Sequence, residues 1–152
     1  MEIIDVTLRD GGHAVQFNWP IEFAIDYYEM ISGFEQINWI ELGYWKQSSK
    51  SKNFFYNLDL DKVKIITKGK GLKKAAIMID FHYCTHDLNQ YPTAADQDEV
   101  GLIRLCSRKE DIDQALIFGE KLKAFTNLKI SFNIFNTSNY TSHELYAFTE
   151  KA

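Results

Sequence analysis

The chain has 152 residues, 45% of them hydrophobic and 25% charged, a composition that describes one ordinary globular domain and excludes intrinsic disorder. A net charge of −4 with dispersed lysines excludes the basic footprint of a nucleic-acid or anionic-membrane partner. Two cysteines, Cys84 and Cys106, exclude a disulfide framework and a four-thiolate zinc site, which fits a reducing cytoplasm. No apolar run approaches the ~18 residues of a membrane span, and the N-terminus lacks a basic segment followed by an apolar one.

Short β-branched runs alternate with amphipathic stretches along the whole chain. Glu2 to Leu8 reads as a first strand. Trp19-Pro20 opens a helix, with Pro20 suited to its first turn, and Phe23, Ala24, Tyr27, Tyr28 and Ile31 recur at helical spacing until Gly33. Ile37 to Leu42 is a second strand, residues 44–57 a polar loop, and Leu58 to Lys68 a second helix that closes at Gly69-Lys70-Gly71. Ala75 to Phe81 is a third strand, and an irregular stretch to Val100 holds a short helix after Pro92. Gly101 to Cys106 is a fourth strand and Lys109 to Phe125 a helix with Ile112, Ala115, Leu116 and Leu122 on one face. Leu128 to Phe135 is a fifth strand, and Thr141 with Glu144 three residues on is a capping-box start for a last helix. The alternation predicts α/β architecture with a parallel sheet and right-handed crossovers.

Alternation within the strands shows where chemistry gathers. Asp5, Thr7 and Arg9 oppose Ile4, Val6 and Leu8; Trp39, Glu41 and Gly43 oppose Ile40 and Leu42; Asp80 and His82 share a phase; Arg104 opposes Ile103 and Leu105; Ser131 and Asn133 oppose Ile130, Phe132 and Ile134. One face of each strand is polar or ionisable, mostly toward its C-terminal end. Buried charges cost several kcal/mol each unless paired or liganded, and ligands of parallel α/β folds collect at the carboxyl ends of the strands. A site explains the pattern better than solvated edges do.

The densest cluster is Thr7-Leu8-Arg9-Asp10-Gly11-Gly12-His13. Its glycines permit close backbone approach to a ligand. Its carboxylate can hold a hard divalent cation, its guanidinium can stabilise an enolate, and its imidazole can move a proton near neutral pH.

Asp5-Val6-Thr7-Leu8-Arg9-Asp10-Gly11-Gly12-His13-Ala14 resembles the opening signature of the metal-dependent TIM-barrel lyases and synthases. That family includes 4-hydroxy-2-oxovalerate aldolase, 3-hydroxy-3-methylglutaryl-CoA lyase, isopropylmalate synthase and the pyruvate carboxyltransferase-like domains. Ile40-Glu41-Leu42-Gly43 resembles its second-strand motif. Ile103-Arg104-Leu105-Cys106 with Glu110 and Asp111, and Phe132-Asn133-Ile134-Phe135 before Ser142-His143-Glu144-Leu145, fall in the order of its fourth and fifth units. The resemblance implies the five N-terminal βα units of a TIM (β/α)8 barrel, an incomplete or open barrel, since a closed one needs about 250 residues.

Histidine rather than glutamine three residues after Asp10 places the resemblance in the aldolase branch. It implies Asp10 as a ligand to Mn2+ or Mg2+, Arg9 as the residue steadying a pyruvate enolate, His13 as the base, and Glu41 and Asn133 as supporting residues. The implied reaction cleaves a 4-hydroxy-2-oxo acid to pyruvate and an aldehyde. Two alternatives stand beside it: a Claisen-type acyl-CoA synthase or lyase, and an inactive half barrel acting as a binding or assembly partner. The expected partners are a small 2-oxo acid and either a second copy or the C-terminal half of the barrel, in the cytoplasm, with neither nucleic acid nor membrane.

The family completes its metal site with a His-x-His pair on the sixth strand, beyond this chain's fifth unit, so the chain alone is expected to be weak or inactive. His82 and His86 sit in a loop and make poor substitutes, and His143 reads as a surface residue. Lys46, Lys50 and Lys52 suit a solvated loop better than an anion site, and Gly69-Lys70-Gly71 suits a helix cap better than a phosphate loop. Cys84 and Cys106 read as buried structural thiols.

Overall fold

The computed structural model describes residues 1–45, 53–69 and 74–151; Lys46, Lys50, Lys52, Lys70 and Gly71 lie outside the described residues. Five parallel strands, β1 (Ile4–Asp5), β2 (Trp39–Tyr44), β3 (Ala75–Asp80), β4 (Leu102–Ser107) and β5 (Lys129–Ile134), form one sheet in sequential order. The helices are α1 (Thr7–Asp10), α2 (Ile21–Ser32), α3 (Leu60–Thr67), α4 (Ile112–Thr126) and α5 (Ser142–Lys151). Sequential order with every neighbour parallel is the signature of repeated βα units. Among the described residues no helix is long and apolar enough to cross a membrane.

The sheet curls into an open half barrel. Five flat strands about 4.8 Å apart would hold β1 and β5 roughly 19 Å from each other. Here Lys129, the first residue of β5, places its ammonium 2.5 Å from a carboxylate oxygen of Glu2, just before β1. The same ammonium lies 5.6 Å from the Trp39 ring centroid. The outer face of the sheet is the apolar core. Ile40, Leu42, Ile77, Ile79, Ile103 and Leu105 are fully buried, together with Ala24 of α2, Val63 and Ile66 of α3 and Ala115 and Leu122 of α4. Gly119 lets α4 settle onto the sheet, where an added Cβ would stand 3.2 Å from Leu105.

Local chemistry sets the ends of the helices. Asp59 accepts from the Lys62 amide at 2.9 Å to begin α3, which stops where Lys68 and Gly69 turn left-handed. The capping box expected at the last helix is present: Thr141 Oγ1 accepts from the Glu144 amide and Glu144 Oε2 from the Thr141 amide. Pro20 precedes α2 as its N-cap, with an extended ψ of 137°, instead of occupying the first turn.

The first strand is shorter than its composition suggests. Extended backbone ends at Asp5, whose carboxylate accepts from the Thr7 amide at 3.1 Å and from the Thr7 hydroxyl at 3.2 Å. This side-chain turn outcompetes the strand ladder, and the chain enters the helical turn of α1. The predicted alternation from Val6 to Arg9 is therefore lost, and neighbouring Leu8 and Arg9 are both buried.

Candidate active site

The concave face carries the polar residues. Registers place Glu41 opposite Ala76, Ala76 opposite Leu102, Met78 opposite Arg104 and Arg104 opposite Ser131, so Glu41 and Arg104 share that face, with β3 between them. Ala76 leaves room above β3, and Arg104 crosses it to place Nη1 3.0 Å from Glu41 Oε1. Glu41 Oε2 takes Arg9 Nε at 2.5 Å. The carboxylate is completely buried, and each of its oxygens meets a guanidinium, as a buried charge requires. With its amide oxygen turned inward, Asn133 accepts from Arg104 Nη2 and donates to Ser131 Oγ at 3.1 Å.

Arg9 is thereby fixed. Its Nη1 donates to Asp10 Oδ1 at 2.9 Å. Burial acts to lower its pKa, but the Glu41 carboxylate, together with Tyr44 and Asp10, offsets that and holds it above the ordinary value. Among the described residues Nη2 has no acceptor, so the guanidinium keeps one donor edge for a ligand. Asp10 and His13 are exposed on the turn that follows β1. His13 Nε2 lies 3.3 Å from the Tyr44 hydroxyl. Burial pushes the Tyr44 phenol up to about 12, with Arg9 acting in the other direction.

A second ion pair caps the carboxyl ends of β3 and β4. Arg108 grips Asp80 with Nη1 and Nη2 at 2.8 and 3.0 Å, and its guanidinium carbon lies 5.1 Å from the Tyr83 ring centroid and 5.6 Å from that of Phe135. The Asp80 hydrogen bond, reduced by desolvation, holds the Arg108 pKa above its ordinary value.

No protein-family model matches the chain, and no curated protein matches it. A solved structure does. The chain is similar to the crystal structure of the N-terminal domain of a "putative aldolase" from Bacteroides vulgatus, with a TM-score of 0.73 and 22% identity over 93% of this chain and 48% of that one. It spans about half the length of the structure it matches. At this identity the likeness establishes the fold.

The structure joins Arg9 to Asp10 and Glu41 by hydrogen bonds, sets His13 against Tyr44, and places Asn133 on the same concave face against Arg104. His82 and His86 do not join them. His82 Nδ1 pairs with Asp111 at 3.0 Å, and His86 stacks on Phe81 with ring centroids 4.9 Å apart. His143 is exposed at the start of α5. Among the described residues no three His, Cys, Asp or Glu side chains gather as a metal site, so Asp10 does not make one by itself.

Sequence reasoning missed Tyr44 and Arg108. Tyr44 carried one signal, the strand-interior Gly43 before it, which marks a bulge. Arg108 follows β4 and carried none beyond its position at a strand end.

Proposed function

We propose that this chain forms one wall of an aldolase-type carbon–carbon lyase that cleaves a 4-hydroxy-2-oxo acid to pyruvate and an aldehyde. The observation that carries the reading is Arg9: a buried guanidinium, aimed by Glu41, whose Nη2 has no acceptor among the described residues, with the exposed imidazole of His13 four positions on. Preorganised donors aimed at developing charge are the largest single source of catalysis in many enzymes.

In this reading His13 removes the proton of the C4 hydroxyl. The electron pair that the O–H bond leaves on oxygen forms the aldehyde C=O as the C3–C4 bond breaks, and the C3–C4 pair becomes the pyruvate enolate. Arg9 Nη2 stabilises the enolate oxygen, and the proton held by His13 returns to C3 to complete pyruvate. Glu41 is never uncovered, so it serves by holding Arg9. The family resemblance adds Mn2+ or Mg2+ as a cofactor, with Asp10 one ligand among others outside the described residues; no step above runs through it.

The test is proton exchange at C3 of pyruvate in deuterated water, followed by NMR, with the intact protein and added Mn2+ or Mg2+. Exchange is expected, and Arg9→Ala should lower it about a hundredfold. His13→Ala, which truncates an exposed side chain and spares the core, should act alike. Parent-rate exchange in both variants would sink the assignment.

A further inference from the structure

We propose that Tyr44 is a positioning residue for His13: its phenol oxygen receives the Nε2–H of the imidazole, which holds the proton on that nitrogen and leaves Nδ1 as the basic one. The inference rests on the reading of His13 as the base and adds to it the residue that sets its tautomer.

Two departures from regular backbone converge on this contact. Strict alternation along β2 would put Tyr44 on the outer face, opposite in sense to Glu41. Instead the register slips: Glu41 pairs with Ala76 and Tyr44 with Met78, three steps on β2 against two on β3. The bulge turns Tyr44 onto the concave face, where it is 5% exposed. Gly43 makes the bulge possible, since a Cβ there would stand 2.2 Å from the Phe55 carbonyl oxygen. The Tyr44 amide donates to that same oxygen at 2.9 Å, and the Leu58 amide to the Tyr44 carbonyl at 2.8 Å.

The imidazole is seated by the second departure. Gln16 and Phe17 are consecutive non-glycine residues with left-handed φ of 53° and 58°. Such strain persists only where surrounding structure enforces it, and it concentrates at functional sites. Here the Phe17 amide donates to the Gly12 carbonyl at 2.7 Å, and Asn53 Nδ2 donates to the Phe17 carbonyl at 2.7 Å. The Phe17 ring is thereby packed under Gly12 and edge-on to His13, with centroids 4.9 Å apart.

The site needs both. With Nε2 taken up on the wall, the exposed imidazole has only Nδ1 left for a substrate proton, and Nδ1 is a base only when the proton resides on Nε2. The Tyr44 ring is itself held by those of Phe17 and Tyr56, with centroids 5.8 and 5.1 Å away, which keeps its oxygen against Nε2.

Nitrogen-15 NMR of the histidine rings, recorded on the intact protein above the imidazole titration, reads the tautomer without reference to activity. The Nε2–H form of His13 is expected in the parent, and a mixture of tautomers in Tyr44→Phe, which removes only the hydroxyl. Exchange at pyruvate C3 should fall about tenfold in kcat in that variant, with KM unchanged. An Nδ1–H parent, or an unaltered tautomer in Tyr44→Phe, overturns the proposal. Should that variant fail to fold, the comparison within the parent decides: His13 must hold more of the Nε2–H form than the exposed His143, and an equal share overturns the proposal. The expected tautomer change without any pyruvate exchange in the parent would instead defeat the aldolase reading and leave the Tyr44–His13 pairing standing.

Discussion

Arg104 passes over β3 to meet Glu41 at 3.0 Å, on the carboxylate oxygen that Arg9 leaves unused. One buried anion thus ties the turn after β1 to β4 and sets the aim of the candidate catalytic arginine. Removing one partner of a buried ionic group costs about 3–5 kcal/mol, because the remaining charge is left without compensation. Glu41→Ala, which takes their shared carboxylate from Arg9 and Arg104, is expected to lose about that much stability in urea denaturation. A midpoint equal to the parent's would show that the cluster is not structural.

Gly43→Ala should fail for a different reason. Its Cβ would meet backbone, the Phe55 carbonyl, at 2.2 Å, and backbone cannot swing aside as a side chain can. Overpacking of this kind costs about 1–3 kcal/mol. The expected result is a lowered Tm together with altered His13 ring signals, since the bulge that presents Tyr44 must relax.

Both cysteines should resist alkylation. Burial pushes the Cys84 thiol up to about 11 and raises Cys106 as well, while Cys106 is completely inaccessible. The thiolate is the reactive species, so iodoacetamide at neutral pH should label neither in the folded protein and both in denaturant. Cys84 is only half-buried, unlike the buried thiol its sequence suggests, so its rapid labelling in the native state would show that its thiol is not held protonated.

The α5 capping box should survive unusual acidity. A hydrogen bond from Lys109, followed by those from Thr141, lowers the Glu144 carboxyl from 4.5 to about 2. The folded-state value is depressed, so its contribution is fully present above about 4.5 and lost as pH falls through about 2. Carbon-13 NMR of the Glu144 carboxyl should show its inflection near the lower value. An inflection at the ordinary carboxylate position would mean that the box does not persist in solution.

Much of the site was legible because strand alternation is a local property. Glu41, Asp80, Arg104 and Asn133 lie on the face that period-two reading assigned them, and Thr141 with Glu144 caps its helix as the spacing indicated. The reading failed where a side chain or a neighbouring segment bends the backbone. Asp5 turns the chain out of β1 by bonding Thr7, and the Phe55 carbonyl presses against Gly43, which allows the slip that reverses Tyr44. The first competition hides in a residue that looks like any polar strand position; the second depends on a partner twelve residues away.

The sequence by itself determined the order of the βα units, the apolar outer faces of the strands and the clustering of Arg9, Asp10 and His13 after the first one, because each depends on periodicity and short spacing. Only the tertiary structure decided which charges meet. Glu41 and Arg104 are 63 positions apart, and what joins them is the curl of the sheet and the small Ala76 between them. The pairing of Arg9 with Glu41, the grip of Arg108 on Asp80 and the seat of His13 against Tyr44 are likewise consequences of strand pairing, which sets neighbouring βα units side by side.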